Sequence, residues 1–285
     1  MNCVMVILNY NDSRRAWSLA QKCNSFENID KVIIVDNFSS DDSVDFFSLN
    51  NQNHEIDIVL SKENNGFASG NNLGARYALR NYNPKYLFFA NTDTIFKEND
   101  VEACLKQMEH DKNLGLVSMR MKDVKGKEEK SAWRFKPFYE YLLLYFWVYR
   151  HSNYDKYTYK EFDKEFQYVD VVRGSFMMFR SEAFLAAGYF DESTFLYYEE
   201  DIISYRLKEK AYKVGVLTDH FYIHNHIYLG KKNAFFIKHH LDRSLKYFLT
   251  NYYKIGVLKR LIFSFCAFLG DFDLFLVEEL NKRRR

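Results

Sequence analysis

Three stretches of this sequence place side chains capable of chemistry where backbone geometry would present them together. The first is Tyr86-Leu-Phe-Phe-Ala-Asn-Thr-Asp93, an apolar run entered just after Pro84 and stopped by an amide and then a carboxylate. It reads as a buried strand whose carboxyl end delivers Asp93 to a crevice. The second is Glu199-Glu-Asp201, three acids opening a predicted helix, and the third is Tyr222-Ile-His-Asn-His226, which sets two histidines on one side of an extended segment. A lone strand-end carboxylate suits Mg²⁺ held by one or two carboxylates plus phosphate oxygens and water, and Mn²⁺ would also accept His224. The alternatives are a strand-end Asp93 bonded to nearby backbone and a satisfied structural His224. The acids at 199–201 suit the positive end of a helix dipole, but like-charge crowding also raises a carboxyl pKa and makes a general base. Crowding alone does not say which of the three that is.

These residues need a scaffold, and the order of apolar runs supplies one. Val4 to Leu8 ends at Asn9-Tyr-Asn-Asp12, with Ser13 placed to cap a helix running to about Cys23. Lys31 to Val35 ends at Asp36 and leads to a helix from about Asp42 to Leu49. Ile56 to Leu60 is followed by Asn64-Asn-Gly-Phe-Ala-Ser-Gly-Asn-Asn-Leu-Gly74, which opens a helix to about Arg80. The Tyr86 strand then precedes a helix from Glu98 to His110. Strands alternating with helices predict an α/β fold with a mainly parallel, Rossmann-like sheet and ligands at the strand carboxyl ends. Leu114 to Met121 reads as a further strand, with Lys122 to Lys130 an exposed turn or hairpin. Phe138 to Tyr149 is apolar nearly all round, either packed between sheet and C-terminal segment or exposed as a lid or membrane-facing element. Gly174 leads in a strand to Arg180 where backbone can approach a ligand closely.

Composition bounds the rest. The 285 residues allow one large domain or a domain with an appendage, and 27 Phe and 22 Tyr against 2 Pro leave an aromatic excess to be placed. Four scattered cysteines without a C-x-x-C pair, and no basic or apolar leader, fit a reducing cytosol. From Lys231 onward 12 Lys or Arg stand against 5 Asp or Glu, net +7, while residues 1–230 carry net −5. With no nucleic-acid motif beside it, such a tail suits an anionic membrane surface. Leu261 to Leu269 is apolar apart from Ser264, but Gly270, Asp271 and Asp273 cut it short of the roughly 20 residues a spanning helix needs.

Six motifs in order, Val6-Ile-Leu-Asn-Tyr-Asn11, Val35-Asp-Asn-Phe-Ser-Ser-Asp41, Asn64 to Asn72, Asn91-Thr-Asp93, Gly174 to Arg180 and Gly188 to Asp201, resemble glycosyltransferase family 2, nearest its bacterial rhamnosyltransferase-like members. The resemblance spans residues 3–226 and implies a GT-A fold. It implies that Asp36 reads the nucleotide base, that Asn9 and Asn11 line the nucleotide pocket, and that Gly66 and Asn72 belong to the donor-side wall. Asn91-Thr-Asp93 would stand for the family's D-x-D metal motif, with Asp93 the retained carboxylate and Asn91 replacing its first acid. Glu200 falls where the family's Glu-Asp motif carries its base, Glu199 and Gly174 flank the substrate, and His224 approaches metal or diphosphate. Glu200 replaces the usual acid, which leaves Asp201 its rival.

The expectation is an inverting, metal-dependent hexosyltransferase. It would take a dTDP- or UDP-sugar, rhamnose among the candidates, to a glycan or lipid-linked saccharide in bacterial surface polysaccharide synthesis. Its domain would span 1–230, with a nucleotide-sugar half at 1–121 and an acceptor-side half at 122–230, followed by a basic helical segment at 231–285. The expected setting is cytoplasmic, peripheral at the inner membrane face, with a homodimer interface a further outlet for the aromatic excess. The alternative is a non-catalytic nucleotide-sugar-binding scaffold. A pyrophosphorylase or dehydrogenase would want a glycine-rich phosphate loop where this chain has Asn9-Tyr-Asn-Asp-Ser-Arg14.

Overall fold

A computed structural model describes residues 2–146, 158–159, 164–225 and 234–283, with side chains from 235 to 271 in the last segment. The first half alternates as the sequence predicts: β1 (Cys3–Asn9), α1 (Ser13–Asn24), β2 (Lys31–Asp36), α2 (Ser43–Asn50), β3 (Asp57–Leu60), α3 (Phe67–Asn81) and β4 (Tyr86–Asn91). After it come β5 (Thr94–Ile95), α4 (Glu98–His110), β6 (Leu114–Lys122), β7 (Glu128–Glu129), β8 (Ala132–Trp133) and α5 (Phe138–Leu143). The rest is β9 (Phe166–Val169), β10 (Val171–Val172), β11 (Phe176–Arg180), α6 (Ser181–Ala186), α7 (Glu199–Glu209), β12 (Lys213–His224), α8 (Ala234–Asn251) and α9 (Val257–Arg283).

Ten of these strands form one sheet with the path β3-β2-β1-β4-β11-β6-β12-β5; β7 pairs with β6 and β9 with β12. The strands β3, β2, β1 and β4 are mutually parallel. β11 then enters antiparallel between β4 and β6, and the short β5 runs antiparallel to the end of β12. The apolar runs of β1 and β4 are buried on both faces, as parallel strands covered by helices must be. Cys3, Met5, Ile7, Tyr86 and Phe88 face a core closed by α1, α2 and α4; Val4, Val6, Leu87 and Phe89 face one closed by α3, α6 and α7.

Part of the aromatic excess is placed in these cores. Phe88, Phe96 and Phe176 interlock on one side, and Phe89, Phe179, Phe184 and Phe190 on the other, with ring centroids 4.6–5.7 Å apart. A third cluster joins α5, α8 and α9 around Phe248 and includes Ile202 of α7. The helix expected over Phe138 to Tyr149 is described as helix only to Leu143, and positions 147–149 lie outside the described residues. The four cysteines are buried and unpaired.

Candidate active site

Each loop at the carboxyl ends of β1, β2 and β4 is tied to its neighbour by side chains. The Asn9 amide donates to Asp36 Oδ1 at 2.8 Å, and Ser39 N–H donates to Asp36 Oδ2 at 3.0 Å. Asn11 N–H donates to Ser39 Oγ at 2.9 Å, while its Oδ1 accepts from Ser40 N–H at 2.8 Å. Asp36 is 2% exposed, with both oxygens already accepting from the chain, and holds Asn9 directly and Asn11 through Ser39. Ser13 lies within α1 instead of capping it, and Asp12 precedes the helix without a capping bond. The Asp12 carboxylate instead accepts from Arg15 Nε at 2.8 Å and from Thr92 Oγ1 at 2.5 Å, pinning the Asn91-Thr-Asp turn to the first loop.

That turn and the end of β12 meet. His224 pairs with Thr94 across β12 and β5, Asn225 N–H donates to Asp93 O at 2.7 Å, and His224 Nε2 lies 3.1 Å from Asp93 Oδ1. Among the described residues no third His, Cys, Asp or Glu gathers with them, and His226 lies outside those residues. Two adjacent ligands on an octahedral ion with bonds of about 2.1 Å stand roughly 3 Å apart. The two side chains are bonded to each other, and their spacing also matches two adjacent ligands of one divalent cation.

The acids at 199–201 stand at the start of α7, after two residues in the left-handed region, Tyr197 at φ 71° and Tyr198 at φ 67°. Left-handed backbone costs an ordinary residue about 1–2 kcal/mol, so the packed neighbours hold this turn in place. Glu199 and Asp201 are buried at 6% each, whereas Glu200 is half-buried. Glu200 lies against Gly174, where an added Cβ would stand 3.6 Å from its Oε1. Burial pushes its pKa up, opposed by N–H donors of its own backbone and of Gly174 and by the charges of Arg173 and Lys130. Burial, and next the charge of Glu200, push Asp201 up to about 7, although Trp133 Nε1–H donates to Asp201 Oδ1 at 3.1 Å. Burial raises Glu199 furthest, helped by Glu200, and its Oε2 has no hydrogen-bond partner among the described residues.

One short connection joins the two poles. Asn91 N–H donates to Ser175 O at 3.0 Å, so the turn ending in Asp93 abuts the residue after Gly174, which in turn abuts Glu200. The Tyr222 hydroxyl hydrogen-bonds Ser175 Oγ at 2.8 Å and lies within the fields of both Glu200 and Asp93. The Asp93–His224 pair is thus connected to Glu200 by a chain of contacts through Asn91, Ser175 and Gly174.

Gly66 and Asn72 stand in the scaffold behind it. Gly66 has φ +93°, and Phe67 N–H donates to Phe195 O at 3.0 Å. Asn72, expected in the donor-side wall, is wholly buried: its amide donates to Phe190 O and Glu192 Oε1, and its Oδ1 accepts from Phe190 N–H. It clasps the segment leading to the acids, and in this conformation a ligand cannot touch it. Sequence reasoning did not single out Asp12, Trp133, Arg173, Ser175 or Tyr222. The glycine and serine between two apolar strands were the only signal for any of them.

Comparison with known proteins bears on what this arrangement is. The glycosyl transferase family 2 model matches residues 6–186. The chain belongs to glycosyl transferase family 2. The low-salt glycan biosynthesis hexosyltransferase Agl10 of Haloferax volcanii is 25% identical over 213 residues, which is 74% of this chain and 63% of that protein. The chain therefore spans under two thirds of that relative's length. GalNAc-T7, solved with UDP, GalNAc and Mn²⁺, superposes with a TM-score of 0.62 at 13% identity, over 89% of this chain and 49% of that one. The mannosyltransferase PcManGT from Pyrobaculum calidifontis, solved with GDP-Man and Mn²⁺, gives 0.58 at 14% identity, over 94% and 69%. TarS 1–349 of S. aureus, solved with UDP-GlcNAc, gives 0.57 at 11% identity, over 93% and 79%. At these identities the structures establish the fold alone, and that fold is GT-A, as the sequence resemblance implied.

Proposed function

We propose that this family 2 chain is an inverting glycosyltransferase that moves a hexosyl or rhamnosyl unit from a dTDP- or UDP-sugar to a hydroxyl of a glycan or lipid-linked saccharide. Its product would be of the kind assembled into bacterial surface polysaccharide, and the enzyme would work peripherally at the cytoplasmic face of the membrane. The observation that carries the reading is the join of Asp93 and His224 to Glu200 through Asn91, Ser175 and Gly174. On this reading Asp93 and His224 would serve a diphosphate's cation and Glu200 would be the carboxylate that takes a proton. Asp93 and His224 would hold Mg²⁺ or Mn²⁺, which supplies charge neutralisation for the departing diphosphate. The loops fixed by Asn9, Asn11 and Asp36 would floor the nucleotide pocket.

Of the three acids, Glu200 suits the base. It is the most exposed, Gly174 N–H orients it, and Arg173 and Lys130 favour its ionised form. Asp201, buried and bonded to Trp133, is the residue that supports it. In a single displacement Glu200 takes the acceptor hydroxyl's proton as the new bond forms, and no covalent carboxylate intermediate is needed.

Purified protein with a panel of dTDP-, UDP- and GDP-sugars, with Mn²⁺ or Mg²⁺, tests this. Glu200→Gln is expected to lower kcat by about 10²–10⁴-fold while donor affinity is kept, and Asp201→Asn to lower it less. Full transfer by both variants, or no donor binding by the unmodified chain, would remove the assignment. Donor binding without turnover on any acceptor would favour the scaffold alternative.

A further inference from the structure

α9 is apolar on two opposite faces, and only one of them is covered. Phe263, Cys266 and Gly270, spaced three and four apart, turn inward. Phe263 stacks edge-on against Tyr145 at 5.7 Å, and at Gly270 an added Cβ would stand 2.8 Å from the Tyr145 ring, so the helix lies closely on its neighbours. On the outer face Leu258, Leu261, Ile262, Phe265, Phe268 and Leu269 form a continuous stripe at helical spacing, 37–71% exposed. An apolar stripe of this kind on a surface helix marks an interaction site.

Charge says what covers it. Lys259 is exposed on this helix, over the Phe138 ring at 5.4 Å. Arg243 and Lys246 are exposed on α8 and Lys254 on the turn between the two helices, and Lys246 Nζ reaches Ser264 Oγ at 3.1 Å. The nearby acids Asp242 and Asp271 share one cation, Lys238, at 2.5 and 2.7 Å. The stripe thus belongs to a segment of net charge +7 that exposes several lysines and arginines. A second copy would bring two such segments together against their mutual repulsion, whereas anionic headgroups complement them. Among the described residues no helix is long and apolar enough to cross a membrane, so α9 would lie along the surface.

We propose that the outer face of α9 docks the protein on an anionic lipid bilayer, with the apolar stripe among the acyl chains and the flanking cations at the headgroups. The inference deepens the membrane-side placement proposed above and does not depend on the transfer chemistry. The inner face of α9 meets the cluster that contains Ile202, one residue after Asp201, so docking would hold the acid-bearing end of α7 near the bilayer.

Co-sedimentation with phosphatidylglycerol-containing vesicles, and with neutral phosphatidylcholine vesicles, tests it on the full chain. Expected are binding to the anionic vesicles that weakens at least tenfold in neutral vesicles, and at least tenfold in a Leu261→Asp, Phe265→Asp double variant. Thermal shift with nucleotide sugar is run on the same samples to verify that the variant keeps its fold. Equal binding by variant and unmodified chain, or no binding by either, would overturn the proposal. So would a dimer, measured by light scattering without lipid, that the double variant converts to monomer. Transfer to a soluble acceptor is read separately, so loss of activity and loss of docking are told apart.

Discussion

At the scale of single residues the crevice trades stability for chemistry. Glu199 is buried with a raised pKa and an oxygen that has no hydrogen-bond partner among the described residues, and Asp201 is raised to about 7. A carboxyl whose folded pKa exceeds its unfolded value binds protons that the unfolded chain has already released. Its contribution to stability is therefore present at low pH and lost as pH rises through the raised value. For Asp201 that loss falls between the ordinary carboxylate range and about pH 7. Glu199→Gln removes the charge but keeps the shape. It is expected to stabilise by about 1 kcal/mol at pH 8, seen as a thermal midpoint about 2–4 °C higher, and to change little near pH 4. A midpoint gain as large at pH 4 would mean that ionisation is not its source. A second residue-scale expectation concerns Asn91, which on the proposed reading takes the place of the first acid of a D-x-D motif. Asn91→Asp adds a hard oxygen ligand of the type divalent cations prefer, so Mn²⁺ affinity measured by calorimetry should rise by about tenfold. Unchanged affinity would show that this side chain does not face the ion.

At the scale of elements, the parts legible in the sequence were those set by local pattern. Each apolar run ending at Asn9, Asp36 and Asn91 became a parallel strand, because burial on both faces demands an unbroken apolar run and the polar stop marks its end. What local pattern does not encode is pairing between distant segments. The antiparallel entry of β11 between β4 and β6 is invisible in Phe176 to Arg180, although it puts Ser175 on Asn91. The bond from Trp133 to Asp201 spans 68 positions, and the left-handed turn at Tyr197 and Tyr198 uses residues that ordinarily avoid it. A glycine does betray one such join. At Gly66, with φ +93°, an added Cβ would stand 2.0 Å from Phe195 O, so the start of α3 lies directly on the loop that leads to the acids. Gly126 also has positive φ, +80°, but nothing lies within 4 Å of its Cβ position. Gly126→Ala should therefore cost only about 1 kcal/mol of left-handed strain, and Gly66→Ala about 3 kcal/mol or more. Chemical denaturation of the two variants checks this, and equal losses would show that the Phe195 contact carries no weight.

At the scale of the whole molecule, the net charges of −5 before Lys231 and +7 after it fall on structurally different parts. The acidic part builds the sheet and its crevice, while the basic part is helical and packs on α5 and α7 through a cluster of its own. That packing decides how the C-terminal helix is best probed. Ending the chain at Gly256 would remove the outer stripe of α9 but also uncover the inner cluster, since Phe263 and Cys266 are buried against Tyr145 and its neighbours. Losing a large buried side chain costs about 2–5 kcal/mol. The shortened chain is therefore expected to melt at least about 5 °C lower. Among the described residues α9 contributes no side chain to the sheet cores, so nucleotide-sugar binding should survive the truncation. Loss of vesicle binding by that version alone would then be ambiguous, because exposed inner residues also change how a protein meets lipid. Substitutions confined to Leu261 and Phe265 leave the inner face intact, and their midpoint should stay within about 1 °C of the full chain, as exposed positions usually allow. A shortened chain with an unchanged midpoint would show that α9 is held only loosely, and the link from membrane surface to the acids of α7 would lose its mechanical basis.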